Sequence, residues 1–296
     1  MTQLKEIKSR IQSVRSTQKI TSAMMMISSA RLQKIRRIAQ NLLPYERSLY
    51  RILQLLPEGE GMRESPFLQT RGVKRVCIVA FASNTGLAGR FNENISDRLK
   101  ATVTHYLPLG RENILVYAIG DKAAKAAREA GLEPRGDYSA ISEKPAYDAA
   151  QRIAGELMEM FLKGETDRVE LIYHHFRSKG SQTVVSEPFL PLEAFSAGSE
   201  APEDAGARAF DYIVEPDGRT VVTRLIPKIL KLKFFVAHLD SVTSEHAARM
   251  TAMRVATDNA DDLTGALTLE YNKLRQQSIT GELLDIVGGS FGSAGR

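Results

Sequence analysis

The sequence predicts an α/β protein: a long antiparallel two-helix coiled coil drawn from both termini, with a strand-and-helix domain inserted between its arms. Three observations predict it. Apolar residues recur with strict three-four spacing through the first 56 residues. Short β-branched runs alternate with helical patterns over residues 73–192. A second long three-four pattern runs through residues 209–287.

The first arm, residues 1–57, carries its stripe at positions 4, 7, 11, 14, 18, 21, 25, 28, 32, 35, 39, 42, 46, 49, 53 and 56. Twelve of these sixteen are apolar, beginning Leu4, Ile7, Ile11, Val14 and ending Leu49, Leu53, Leu56. Such spacing places one apolar face along a helix and reads as a coiled-coil seam. At ~1.5 Å per residue the helix spans on the order of 80 Å, too long for the interior of a compact domain. Pro44 lies within it and predicts a kink or local break. The polar seam residues are Gln18, Thr21, Ser28 and Glu46. Three of them cluster, so the seam is expected to be weakest over 18–28. Beside that stretch sits Met24-Met25-Met26, whose unbranched side chains suit either core filling or a surface that repacks.

Residues 57–72, rich in Gly, Pro and Glu, read as a linker. The inserted domain, 73–192, follows. Its expected elements are strand Val76–Ala82, helix Phe91–Tyr106, strand Ile114–Ile119, helix Asp121–Ala130 and a weak strand near Tyr138–Ile141. Helix Ala146–Leu162 and strands Val169–Phe176 and Thr183–Phe189 complete it. Alternation of this kind predicts a Rossmann-like layer with a mostly parallel sheet and right-handed crossovers. Residues 193–208 are acidic and small and read as a surface loop.

The last arm, within 209–287, runs as a helix from about Asp217 to Val287. Its stripe passes through Leu225, Ile229, Leu232, Val236, Leu239, Met250, Met253, Ala260, Leu267, Tyr271 and Leu274. Thr243, His246, Thr257 and Thr264 interrupt it. Pro227 marks either its true start or a kink, and Gly288-Gly289-Ser290-Phe291-Gly292 reads as its stop. Each long stripe needs a partner to bury it. The other arm of the same chain, running antiparallel, is the simplest one, and the expected result is a rod with a domain on its side.

Composition narrows the class. With 43% hydrophobic and 25% charged residues the chain is globular rather than disordered. No run reaches the ~18 unbroken apolar residues that a membrane-crossing helix needs, so any membrane link is expected to pass through a partner. Cys77 is the sole cysteine, which excludes an internal disulfide. The polar, helix-periodic start, patterned from Leu4, predicts no removable leader. Residues 1–56 hold eleven Lys/Arg against only Glu6 and Glu46; that is +9 of a chain total of +5, so the remainder carries −4. A basic arm of this length fits an acidic protein surface, nucleic acid, or simply a solvated helix face.

Signals for chemistry are sparse. The turn Ser83-Asn84-Thr85-Gly86-Leu87-Ala88-Gly89 stands between a strand and a helix, where phosphates bind in dinucleotide folds. It has only two glycines and no Gly-Lys-Ser/Thr, and so reads first as a tight turn. His174 and His175 are adjacent on a strand and point to opposite faces. His105, His238 and His246 lack a Cys or His at ligand spacing, so no metal site is expected. Asp258, Asp261 and Asp262 share one helical face and read as solvated. No catalytic residue and no cofactor are assigned. Three function classes stay open on the residues alone: a force-bearing structural subunit, a nucleotide-binding α/β enzyme with a coiled-coil arm, and a basic coiled-coil protein that binds nucleic acid. Micromolar ATP affinity would favour the second; DNA retention with a steep salt slope would favour the third. The absence of Trp and of interleaved aromatics argues mildly against base stacking.

The segment Ser16-Thr17-Gln18-Lys19-Ile20-Thr21-Ser22-Ala23-Met24-Met25-Met26, with the opening Leu4-Lys5-Glu6-Ile7-Lys8-Ser9-Arg10-Ile11, resembles the N-terminal signature of the gamma subunit of F-type ATP synthases. The stretch Ser244–Met253, the run Ala256-Thr257-Asp258-Asn259-Ala260 and the tail Tyr271–Thr280 with Glu282–Val287 are similar to the C-terminal part of that family. The resemblance covers the whole chain and is strongest in about the first 40 and last 50 residues. It implies a single-copy, non-catalytic central-stalk rotor. Its two helices would turn inside a ring of alpha and beta subunits, and its α/β domain would lie near the epsilon subunit and the membrane c-ring. No nucleic acid is implied. The place implied is the cytoplasmic face of a bacterial inner membrane, as a peripheral part of the complex. By position, Met24 matches the family's methionine linked to coupling. Arg275, Gln276, Thr280 and Glu282 match residues that touch the beta ring or brace the shaft. Lys19, Arg31 and Lys34 belong to the basic face expected to ride against acidic loops of beta. Two departures stand out. Gly281 replaces a usual Gln, at about 1 kcal/mol of helix stability against Ala. Ser-Asn-Thr-Gly-Leu-Ala-Gly-Arg replaces the common Ser-Asp-Arg-Gly-Leu-Cys-Gly-Gly.

Overall fold

The protein is described by a computed structural model, which covers residues 2–55, 65–192 and 214–293. The loop expected over 193–208 and residues 57–64 of the expected linker lie outside the described residues. The elements in chain order are α1 (Thr2–Leu55), β1 (Val76–Phe81), α2 (Phe91–Tyr106), β2 (Ile114–Ile119), α3 (Asp121–Glu129), α4 (Ser139–Glu143), α5 (Tyr147–Leu162), β3 (Arg168–Ser178), β4 (Ser181–Leu190) and α6 (Gly218–Ser293). Contacts divide the chain into two units: Ser29–Arg249, and Met1–Ser28 together with Met250–Arg296.

The larger unit is mixed α/β around a four-stranded sheet of order β2-β1-β3-β4. Strand β1 pairs in parallel with β2 and β3, and β3 pairs antiparallel with β4. All six residues of β1 are buried, as a strand covered on both faces requires; this is why Val76–Phe81 reads as an unbroken apolar run rather than an alternation. One face of the sheet packs on α2 and α3 through Ile78, Ile95, Leu99, Val116 and Ala123. The other belongs to a larger cluster that joins Phe81, Tyr117 and Phe189 of the sheet, Leu157 and Phe161 of α5, Ile35, Leu49 and Leu53 of α1, and Ile226, Leu230 and Phe234 of α6.

Several expectations need correction here. The stretch near Tyr138–Ile141, expected as a weak strand, is the start of helix α4. The Asp137 carboxylate accepts the Ser139 N–H at 3.0 Å, and this local bond starts a turn where the apolar pattern was too short to decide. Helix α6 begins at Gly218 and continues through Pro227, so Pro227 is not its start. Its start is held by Asp217, whose carboxylate takes the Thr220 N–H at 2.8 Å. The glycines at 288, 289 and 292 lie inside α6 and do not end it; each costs a helix about 1 kcal/mol but does not forbid one. Between Val222 and Arg249, α6 is not a one-sided stripe. Phe234, Ala237, His238, Leu239, Ser241, Val242 and Thr243 are all buried, because this half of the helix lies in the larger core.

Glu46 occupies a seam position of α1 and is half-buried. Burial pushes its carboxyl up to about 7, with Lys233 opposing and Glu187 adding to the rise. A raised acid stabilises the folded state fully below its ordinary value near 4.5 and loses that contribution as the pH climbs through 7. Glu46→Gln is therefore expected to raise stability at pH 8.5, by about 2 kcal/mol, and to change little at pH 4. Urea unfolding at both values checks this; an equal effect at both contradicts it.

In the smaller unit, every described seam position of α1 up to residue 28 is buried or half-buried. The same holds for 253, 257, 260, 264, 267, 271, 274, 278 and 281 of α6. The stretch over 18–28, expected as the weakest part of the seam, carries hydrogen-bonded polar residues. Thr21 and Ser28 are buried. The Thr21 hydroxyl meets the Thr257 hydroxyl at 2.7 Å, and Gln18 donates from its amide to the Asp261 carboxylate. A bonded polar layer still costs stability against an apolar one, but it fixes which residues face each other.

Candidate functional site at the strand ends

Strand order makes the ends of β1 and β3 the place to look. The chain leaves β1 for β2 on one side and later returns to β3 on the other, so the strand order reverses at β1. In open α/β sheets a crevice forms there and receives ligands. The turn 83–89 lies at this point. Ser83 N donates to Asn92 Oδ1 at 3.1 Å, tying the turn to the first turn of α2. Asn84 Oδ1 and Ser83 O accept the first two N–H groups of α3, Asp121 at 3.0 Å and Lys122 at 3.1 Å. Gly120 has φ +99°, and a Cβ there would stand 2.2 Å from Ala82 O, so only glycine fits between turn and helix.

What fills the crevice comes from the chain itself. Ser142 of α4 donates to Ala82 O at 2.8 Å, and Asn84 donates to Ser139 O at 2.9 Å. From α6, Arg249 reaches the turn. Its Nη2 donates to Thr85 Oγ1 at 2.9 Å and to Gly86 O at 3.3 Å, while Nη1 pairs with Glu245 at 2.7 Å. Arg249 and Glu245 are each only 7% exposed. Burial pushes the Glu245 carboxyl up, and Arg249 pulls it back. A cavity of about 240 Å³ remains, lined by Arg31, Asn84, Thr85, Ser142, Glu143, Glu245, His246 and Arg249.

This is a guanidinium clamp. A phosphate cradle offers backbone N–H groups to an anion; here the turn offers carbonyl oxygens to a cation, and two carboxylates share the space. The chemistry argues against the nucleotide-enzyme reading.

The expected site residues fall in two groups. Arg31 lines the cavity. Lys19, Lys34, Arg275, Gln276, Thr280 and Glu282 are exposed along α1 and α6, and Met24 is half-buried. Glu282 accepts from Ser278 at 3.4 Å. Gly281 has open space around it, so nothing steric demands glycine there. Sequence reasoning did not single out Glu245 and Arg249 as partners of the turn. Their signal was an acid–base pair at i, i+4 in a helix stretch otherwise apolar or small, where a charge survives burial only when paired. His174 is buried and His175 exposed, as strand alternation predicts. His175 Nδ1 instead lies 2.6 Å from the Asp240 carboxylate.

Fold and clamp together define a class: a mixed α/β protein whose first and last helices are its longest elements and whose ligand crevice is closed from within by one of them. A family model described as ATP synthase matches residues 3–291. The ATP synthase gamma chain of Bacteroides fragilis is 49% identical over 290 residues, 98% of this chain and 99% of the relative. That of Flavobacterium johnsoniae is 41% identical over 291 residues, 98% of each. The chain belongs to the ATP synthase gamma chain family. Its fold is shared with a chain from the central stalk and c-ring structure of Tetrahymena thermophila mitochondrial ATP synthase, at TM-score 0.57 and 19% identity over 80% of this chain and 99% of that one. A chain of the Euglena gracilis mitochondrial ATP synthase matches at TM-score 0.50 and 20% identity, over 93% and 94%.

Proposed function

We propose that this chain is the central-stalk rotor subunit of an F-type ATP synthase, coupling proton-driven rotation to ATP synthesis and hydrolysis in a ring of alpha and beta subunits. It contributes no nucleophile and no nucleotide site. It biases bistable partners by contact as it turns. The observation that carries the reading is family membership across almost the entire chain, 98% of its length against gamma chains of nearly equal length. The paired stripes support it. Gln18 bonds to Asp261 and Thr21 to Thr257, so numbering rises along one helix as it falls along the other, as an antiparallel coiled coil requires. We take the division of the chain as 1–57 and 209–287 for the two arms and 73–192 for the α/β domain.

The chain is present once per complex, with the epsilon subunit and the membrane c-ring as further partners and no nucleic acid. No helix among the described residues is long and apolar enough to cross a membrane, which fits peripheral attachment on the cytoplasmic face of a bacterial inner membrane. The exposed cations Lys19, Arg31 and Lys34 suit acidic loops of the beta subunits, and Arg275, Gln276, Thr280 and Glu282 suit contacts with the ring around the far end of α6.

Reconstitution tests the reading. The isolated chain is expected to hydrolyse no ATP, and to restore rotation-coupled hydrolysis when mixed with alpha and beta subunits. Failure to co-assemble with them would defeat it. Met24→Lys is expected to impair ATP-driven proton pumping while the assembled complex melts as before, since a charge enters the half-buried edge of the seam without removing core volume. Unchanged pumping in that variant would remove Met24 from the coupling path.

A further inference from the structure

His174 on β3 and His238 and His246 on α6 are each at most 4% exposed. Four of their ring nitrogens, Nδ1 of all three and Nε2 of His238, meet no hydrogen-bond partner among the described residues. Buried polar atoms without partners are uncommon in native proteins and ask for a reason. These three imidazoles lie along one contact, where α6 meets the ends of the central strands. His238 stacks on Phe81 at the end of β1, with ring centroids 5.6 Å apart. His174 stacks on Phe91, the first residue of α2, at 4.2 Å. Ser244 of α6 donates to the backbone carbonyl of His174 at 3.2 Å, and His246 lines the cavity beside the Arg249 clamp.

We propose that His174, His238 and His246 make the contact between α6 and the strand ends an acid-sensitive joint. Proton uptake by these rings loosens α6 from β1, β3 and α2 and releases Arg249 from the turn at 83–89.

The physical case rests on what surrounds each ring. His238 lies on the Phe81 ring and His174 on the Phe91 ring, and burial alone pushes both imidazoles down to about 4. His246 faces Arg31 of α1 and Arg249 of its own helix, with Glu143 of α4 and Glu245 of α6 also in the cavity. Burial is again the largest influence, the two arginines push the same way, and the ring sits at about 4. An imidazolium in such a contact is taken out of bulk solvent, and the N–H it gains at His174 or His238 meets no protein acceptor among the described residues, so the packed state disfavours the proton.

The direction follows from linkage. The opened joint takes up protons near the ordinary 6.5 and the packed joint near 4, so packing is fully favoured above 6.5 and weakens as the pH falls through that window. Glu46, Asp240 and Glu245, whose carboxyls burial raises, work in the opposite sense and offset part of this. At pH 5 each histidine alone shifts the equilibrium by roughly thirtyfold, so the three acting together shift it by a thousandfold or more.

Hydrogen exchange of the full chain at pH 7.5 and pH 5, corrected for intrinsic rates, tests this. Amides of β1 and of α6 around 238–246 are expected to lose at least a thousandfold in protection at pH 5. His238→Phe, which keeps a ring on Phe81, is expected to match the unmodified chain at pH 7.5 and to retain at least tenfold more protection at pH 5. If His238→Phe does not fold, imidazole NMR on the unmodified chain decides. The proposal expects the three rings to stay neutral until the joint opens. Rings that titrate near 6.5 with protection unchanged would overturn it, as would equal protection at the two pH values.

Discussion

Arg249→Met is expected to cost about 3–5 kcal/mol of folding stability, the range for removing one partner of a buried ion pair. The loss has two parts. Glu245, 7% exposed, keeps its carboxylate in a site from which its counter-charge has gone. The Thr85 hydroxyl and the Gly86 carbonyl lose the donor that reaches them at 2.9 and 3.3 Å. Removing both charges separates the desolvation cost from the packing: Arg249→Met with Glu245→Leu is expected to recover most of the loss, since a buried pair replaced by apolar groups of similar volume is often near neutral. Urea unfolding of the two variants and the unmodified chain measures this. A double variant as unstable as the single one would mean that the clamp acts through the shape of the arginine rather than through its charge. The α/β domain is also expected to lose protection first at the turn 83–89.

Phe234→Ala is expected to cost about 3–5 kcal/mol, the range for emptying an aromatic site in a packed core. Phe234 is fully buried. Its ring lies 5.3 Å from that of Phe81 and 5.9 Å from that of Phe189, tilted by 59° and 67°. It thus ties α6 to both β1 and β4. The control is Ile20→Ala. Ile20 is 61% exposed, off the seam, and its loss should stay within about 0.5 kcal/mol in the isolated chain. Comparable losses at the two positions would contradict the assignment of Phe234 to the core.

The two sites differ in how visible they were in the sequence. Ile20 is apolar yet lies outside the three-four rhythm, so its exposure was legible from spacing alone. Phe234 opens the run Phe234-Phe235-Val236-Ala237, where the stripe broadens; an unbroken apolar stretch records burial without recording against what. The clamp was less visible still. Glu245 and Arg249 at i, i+4 look like any solvated helix pair, and only the return of α6 to the end of β1 makes them a buried pair on a turn 164 residues away. The partner of Thr21 was hidden for the same reason. One chain shows a polar seam residue but not the Thr257 hydroxyl that meets it. The strand expected near Tyr138 failed on local chemistry, through a single Asp137 bond that competes with extended backbone.

Periodicity, strand composition and turn residues are properties of consecutive residues, and they settle which segments become helices and strands and which faces they bury. On those grounds the sequence by itself determined two long helical arms, a mainly parallel sheet between them and membership of a family carried by its terminal motifs. Partnership is set by distance in space, and no run of neighbours encodes it. Only the tertiary structure decided that the crevice at the strand ends is occupied by Arg249, that Glu46 shares its site with Lys233 and Glu187, and that three imidazoles lie buried where α6 meets the sheet, four of their ring nitrogens without a hydrogen-bond partner among the described residues. Each is a case in which burial changes the free energy of a charge or a polar atom, and burial exists only once the chain has folded back on itself.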